Sequence, residues 1–172
     1  FYRELSILDP LTEVYNRRYL NLELSREIER SRRFSHSFSI LFVDIDNFRF
    51  YNEKYGHQAG DDLLKKFAAF LMNRARMMDS VFRYGGDEFI ILFPETPKKD
   101  AVNLAHRIED AVKKSGLVDS EDLAGKPLTC SIGLVTFPED GLSAEALFCV
   151  ADQMMYTAKT LETNKVCFVK QT

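Results

Sequence analysis

Two apolar runs joined by a glycine pair constrain this chain more than any other stretch: Val81-Phe82-Arg83-Tyr84-Gly85-Gly86-Asp87-Glu88-Phe89-Ile90-Ile91-Leu92-Phe93. Gly85-Gly86 tolerates the positive φ angles of a two-residue turn, so the stretch reads as a β-hairpin. Asp87 and Glu88 follow the turn directly, ahead of a strand otherwise apolar through Phe93. A hairpin has no need of that second carboxylate. Adjacent acids repel, and a strand of Ile, Leu and Phe is largely buried, so the pair asks for a cation.

A second acidic cluster points the same way. Phe38 to Val43 reads as a buried strand that runs into Asp44-Ile45-Asp46. Strand side chains alternate, so Asp44 and Asp46 share one face and Ile45 takes the other. If this strand lies beside the hairpin, Asp44 and Asp87 meet at one sheet edge. Carboxylates so placed suit Mg²⁺, which takes oxygen ligands and recruits substrate phosphates. Asp46 has a second reading as a cap of the following helix or turn.

At 172 residues and 45% hydrophobic, with 14 Phe, the chain has the length and apolar content for one domain with a real core. A formal net charge of −3 gives no basic field for nucleic acid or an anionic membrane. Cys130, Cys149 and Cys167 stand in apolar surroundings without metal-type spacing and read as reduced core residues of a cytoplasmic protein. His36, His57 and His106 are scattered and form no zinc pattern. No apolar run approaches the ~20 residues of a membrane helix, so no direct membrane contact is expected. The absence of an initial Met reads as a piece of something longer, whose upstream part could be membrane-anchored.

Residues 1–8 read as the end of an N-terminal connector helix, broken at Asp9-Pro10, and residues 9–172 as one domain. Asn16 is a good N-cap for a helix with the stripe Tyr19, Leu20, Leu24 and Ile28. Arg30, Arg32 and Arg33 suit that helix's C-terminal dipole, with a basic nucleic-acid arm as the sharper alternative. A short helix over 47–55 ends at Gly56, and Gly60-Asp61 opens a longer one with Leu63, Leu64, Phe67, Phe70 and Leu71 facing inward. After the hairpin come a helix over 98–114, a polar loop over 118–126, a strand over 128–137, a helix over 143–161 and a last strand over 166–169. Strands mixed with crossover helices around a hairpin give an α+β fold, a mixed central sheet flanked by helices.

Tyr84-Gly85-Gly86-Asp87-Glu88-Phe89 resembles the signature of the GGDEF domain family, the diguanylate cyclases. The likeness extends, in order, through Asp9-Pro10-Leu11-Thr12, Asn16-Arg17-Arg18, Asp44-Ile45-Asp46-Asn47-Phe48, Gly56-His57, Gly60-Asp61, Ser131-Ile132-Gly133, Ala151-Asp152 and Tyr156-Thr157-Ala158-Lys159. It runs from about residue 9 to 166. The resemblance implies a palm-like nucleotidyl cyclase fold and the condensation of two GTP into cyclic di-GMP with release of pyrophosphate. It implies two Mg²⁺ (or Mn²⁺) ions per GTP site, held by Asp44, Asp87, Glu88 and the Ile45 carbonyl. It also implies a homodimer for activity and an upstream sensory or receiver domain.

The turn at Asn47, Phe48 and Arg49 leads into a helix N-terminus, a natural phosphate site, although Arg49 stands where the family usually has lysine. Lys159 matches the family's triphosphate lysine; taken alone it is a solvated lysine favoured by the helix dipole. Asn52 and Asp61 match the guanine-reading positions, Asp61 being otherwise an N-cap. Arg76 and Asp79 have the spacing and place of an inhibitory product site, with a second contact from Arg107; taken alone they make a surface ion pair. Where the family reads Gly-Arg, this chain has Glu162-Thr163, and one phosphate contact is lost unless Lys165 compensates. Glu13 for glycine and Glu53 for aspartate read as mild changes. The alternative to a cyclase is a weakly active or inactive domain that binds GTP or cyclic di-GMP as a regulatory module.

Overall fold

A computed structural model describes residues 6–170. Its elements run α1 (Arg17–Phe34), β1 (Phe38–Ile45), α2 (Phe48–Tyr55), α3 (His57–Met72), β2 (Ser80–Arg83), β3 (Glu88–Phe93), α4 (Lys98–Lys113), β4 (Cys130–Phe137), α5 (Ala144–Thr160) and β5 (Val166–Phe168). The strands form one sheet in the order β2-β3-β1-β4-β5. All pairings are antiparallel except the parallel β4–β5 pair. The fold is the expected α+β arrangement around a mixed sheet.

β1 is central, and all eight of its residues are buried. Its alternation serves two cores. Leu41, Val43 and Ile45 pack with Leu63, Leu64 and Phe67 of α3 and Ala101, Ala105 and Ile108 of α4. Phe38, Ile40 and Phe42 pack with Leu20, Leu24 and Ile28 of α1 and Leu147 and Ala151 of α5. Because a strand flips side-chain direction at each residue, Asp44 continues the α1/α5 face at the strand's end. Asn16 caps α1 as expected, its Oδ1 accepting from the Tyr19 N–H at 2.9 Å.

Three expectations need correction. α3 begins at His57 rather than at Gly60-Asp61, because Gly56, at φ 86°, both ends α2 and opens α3. Asp61 is therefore inside the helix and is not its N-cap. Of the cysteines only Cys130 is buried; Cys149 is exposed and Cys167 half-buried. Of the connector helix at 1–8, residues 1–5 lie outside the described residues, and Ser6 to Leu8 are not helical, Leu8 bridging instead to Tyr15.

Asp9 to Val14 form a closed turn: the Asp9 N–H donates to the Val14 carbonyl at 2.7 Å, and the Glu13 N–H to the Asp9 carbonyl at 2.9 Å. Glu13 sits there at φ 62°, in the left-handed region. Glutamate at this position is thus not a mild replacement for glycine. Glu13→Gly is expected to stabilise the domain by about 0.5–1 kcal/mol. That is roughly 1–4 °C in melting temperature for a chain of this size. A melt that fell instead would show that Glu13 makes compensating contacts.

Candidate active site

β2 and β3 pair from Arg83↔Phe89 to Ser80↔Leu92, and Tyr84 to Asp87 connect them. The connection is longer than a two-residue turn, and neither Gly85 nor Gly86 has a positive φ. Gly85 answers a different demand. A Cβ there would lie 2.7 Å from Glu88 Oε2, so glycine lets the glutamate fold back over the turn. Arg83 braces the turn from within, donating to the Gly85 carbonyl at 3.2 Å and the Gly86 carbonyl at 2.9 Å. Its third arm reaches Asp9 at 3.2 Å. Burial opposes ionisation of Asp9, but the Thr12 hydroxyl, the Thr12 N–H and Arg83 together hold its carboxyl below the usual range.

Across β1 and β3 the acid directly opposite Asp44 is Glu88, with Asp87 one residue before it in the turn. The Asp87 carbonyl accepts from the Ile45 N–H at 3.3 Å. Directly opposed like charges destabilise a sheet. Burial pushes the Asp44 carboxyl up to about 6, the Asp87 and Glu88 charges add to the rise, and Lys159 opposes it. Lys159 Nζ lies 2.7 Å from Asp44 Oδ2. Gly133 brings this lysine in: a Cβ there would meet the α5 backbone at Ala151 and Met155 at 3.0 Å, so α5 rests directly on β4.

Because folding raises the Asp44 pKa from 3.8 to about 6, the ionised carboxylate costs stability at neutral pH. Asp44→Asn is therefore expected to melt higher than the parent at pH 7–8 while losing turnover. The gap should open between about pH 4 and 6 and stay constant above. A variant less stable at pH 8 than the unaltered chain would contradict this.

Asp46 lies just past the end of β1, and its carboxylate is already engaged. The Thr129 hydroxyl donates to it at 2.6 Å, the Ser131 hydroxyl at 2.7 Å, and Lys165 Nζ sits at 3.0 Å. The cap reading of Asp46 fails too, because α2 is capped by Asn47, at φ 58° and without a side-chain bond. Lys165, the residue that could offset the arginine absent at Thr163, pairs with Asp46.

Beside the acids lies a cavity of about 390 Å³, lined by Phe48, Arg49, Asn52, Glu53, His57, Gly86 and Asp87. Asn52 lines this cavity, and its Oδ1 is buried against Gly60 without a hydrogen-bond partner. An unpaired buried acceptor costs roughly 1–3 kcal/mol, so it marks a place where a donor belongs. The Asn52 carboxamide lies against Gly60, which puts the half-buried Asp61 next to it, although Asp61 does not line the cavity. Arg49 is almost fully exposed, held only by Glu53 at 2.9 Å.

A second cavity, of about 450 Å³, is lined by Arg76 and Asp79 with Leu8, Val14, Met72 and Met77 among its apolar walls. Arg76 grips Asp79 with Nε at 3.0 Å and Nη2 at 2.9 Å, and Nη2 also donates to Thr96 Oγ1 at 2.9 Å. Arg107, exposed on α4, does not line this cavity.

The profile of the family described as "Diguanylate cyclase, GGDEF domain" matches residues 6–165. The chain belongs to the GGDEF domain family. It is 37% identical over 161 residues to the diguanylate cyclase DosC of Escherichia coli (strain K12), covering 92% of this chain and 34% of DosC. It is 36% identical over 163 residues to the response regulator PleD of Caulobacter vibrioides, covering 95% of this chain and 36% of PleD. The GGDEF chain thus spans about a third of the length of these relatives. Among solved structures, diguanylate cyclase SiaD of Pseudomonas aeruginosa, in complex with its activator SiaC, superposes with a TM-score of 0.84. That match has 31% identity and covers 95% of this chain and 62% of that one.

GGDEF membership raises the question of divalent cations. Among the described residues, no three acidic, His or Cys side chains converge into a ready-made cage. The donor chemistry nevertheless fits Mg²⁺, which takes one or two protein carboxylates and completes its shell with substrate phosphate and water. Asp44, pushed upward by burial and then by the Asp87 and Glu88 charges, is a carboxylate that a cation would relieve. Sequence reasoning missed how two residues brace this GGDEF site, Arg83 under the turn and Lys165 on Asp46; the buried Lys98, paired with Asp140 at 2.7 Å, braces the opposite end of the sheet. Among the described residues no helix is long and apolar enough to cross a membrane.

Proposed function

We propose that this domain is a diguanylate cyclase that joins two GTP molecules into cyclic di-GMP. In each half-reaction a 3′-hydroxyl attacks the α-phosphate of the other GTP. An O3′–Pα bond forms, the Pα–O–Pβ bond breaks, pyrophosphate departs and the hydroxyl proton passes to water. The observation that carries the reading is the juxtaposition of Asp44, Glu88 and Asp87 at one end of the sheet, beside a cavity lined by Phe48, Arg49, Asn52 and Asp87.

Each residue has a task in this reading. The Asn52 oxygen takes a donor from the guanine edge, and Asp61 accepts from the neighbouring N–H groups; adenine lacks that pair of donors. The free N–H groups after Asn47, at Phe48 and Arg49, together with the Arg49 and Lys159 charges, bind phosphate. Two Mg²⁺ (or Mn²⁺) ions per GTP, held by Asp44, Asp87, Glu88 and the Ile45 carbonyl, would polarise the phosphoryl group and lower the pKa of the attacking hydroxyl. Gly85 and Gly86 let the turn approach the nucleotide. One site binds one GTP, so two copies must face each other, brought together by an upstream sensory or receiver region. Arg76 and Asp79, with Arg107 from the same or a facing copy, form the product site that restrains turnover.

The test is GTP turnover with Mg²⁺ at several protein concentrations, with nucleotides separated by chromatography. Cyclic di-GMP that rises faster than linearly with protein supports the paired mechanism, and a strictly linear dependence overturns it. A second reading has its own observation: Lys165, the nearest cation in sequence to Thr163, is drawn to Asp46 at 3.0 Å, which weakens it as a substitute for the phosphate contact absent at Thr163. Binding of GTP or cyclic di-GMP without any product would favour that regulatory module.

A further inference from the structure

The two lysines flanking the α5–β5 connection both end on aspartates of the β1 terminus, but in different settings. Lys159 reaches Asp44 with half of its side chain exposed, 49%. Lys165 reaches Asp46 with both partners shut in, 13% and 9% exposed. Lys165 is also held through its backbone. Its carbonyl accepts from the Ile132 N–H at 2.8 Å, and its N–H donates to Glu109 Oε1 at 3.4 Å. Glu109 is itself held by Lys113 Nζ at 2.5 Å. Asp46 in turn takes the hydroxyls of Thr129, just before β4, and Ser131 of β4 and the Lys165 ammonium, and its own N–H donates to the Thr129 carbonyl at 3.0 Å.

We propose that Lys165 is a positioning residue for the reaction: paired with Asp46, it fixes the end of β1 that carries Asp44 and Ile45, and it touches no phosphate itself. The inference rests on the cyclase reading. Removing Lys165 would leave the Asp46 carboxylate buried without its countercharge, a situation a protein avoids by moving the group. The motion would pass directly to Asp44, two residues away, and to the segment 160–164 that Lys159 and Lys165 bracket. A displacement of about 1 Å in groups that hold reacting atoms is enough to lower turnover by an order of magnitude or more.

A lysine that positions and a lysine that binds phosphate give opposite kinetics. Lys165→Met is expected to lower kcat about tenfold with KM for GTP changed less than about twofold. Asp46→Asn should reproduce that loss, and the double variant should be no worse than the more damaged single. Lys165→Arg, which keeps the charge, should recover activity to within about threefold. The affinity for a fluorescent GTP analogue with Mg²⁺ should stay unchanged in all four. A rise in KM and a weaker analogue affinity with kcat retained, or losses from Lys165→Met and Asp46→Asn that multiply, would overturn the inference. Absence of product from the unaltered chain would defeat the cyclase reading alone. The positioning would then be read from amide hydrogen exchange at Ile45 and Asp46, which Lys165→Met and Asp46→Asn should speed equally and Lys165→Arg should not. Unaltered exchange in the first two variants would overturn it. Should Lys165→Met fail to fold, Asp46→Asn and Lys165→Arg carry the same comparison.

Discussion

Asp87→Ala is expected to lower cyclic di-GMP formation by about 10³-fold or more while leaving the fold intact. The size follows from the proposed role: a carboxylate that held a cation against developing phosphoryl charge would contribute on the order of 4 kcal/mol to the transition state, which is about 10³ in rate. The intact fold follows from the geometry. Asp87 serves the sheet only through its carbonyl, which accepts from the Ile45 N–H, and alanine keeps that carbonyl. Its side chain is half-buried at the cavity wall. Loss of its negative charge also removes one of the influences that raise Asp44, so the acidic end of the sheet becomes easier to maintain. The measurement pairs turnover with thermal melting. Turnover above a tenth of the parent value would remove Asp87 from the metal set, and a collapsed melt would make it structural instead.

The features legible in the sequence are those with local signatures. The hairpin, the burial of β1 and the inward stripes of α1 and α3 follow from apolar spacing over a few residues. The closeness of Asp44 to the hairpin acids then needs only one assumption, that β1 and β3 are neighbours. What escaped depends on backbone angles or on partners far along the chain. Gly85 was assigned to a positive φ, whereas it answers the close approach of Glu88. The start of α3 turns on Gly56 at φ 86°, because a single left-handed residue between two helices carries no periodic signal. Glu13 looks harmless as a letter and is strained as a conformation. The braces Arg83–Asp9, Lys98–Asp140 and Lys165–Asp46 join elements that only the folded sheet brings together. A charged residue destined for such a pair resembles any surface lysine or arginine until its partner is known.

The same braces bear on whether the domain turns over quickly or only binds nucleotide. Thr163→Arg is expected to raise turnover by roughly 10- to 100-fold, the worth of one charge-assisted contact of about 1.5–3 kcal/mol. Thr163 is exposed, so the larger side chain displaces nothing from the core. The backbone that carries it is anchored on both sides, at Asp44 through Lys159 and at Asp46 through Lys165. A guanidinium at 163 is therefore delivered from a short fixed segment beside the Lys159 ammonium, and little conformational freedom is lost in using it. Glu162, next to it, opposes an anionic substrate, and Glu162→Gly with Thr163→Arg should exceed the single change. Turnover assayed with saturating GTP, together with analogue affinity, separates the outcomes. Faster turnover means a working cyclase slowed by one absent contact. Tighter nucleotide binding without product means that the acidic end of the sheet is not catalytic in this chain, and the domain is then a nucleotide-binding module that kept the GGDEF architecture.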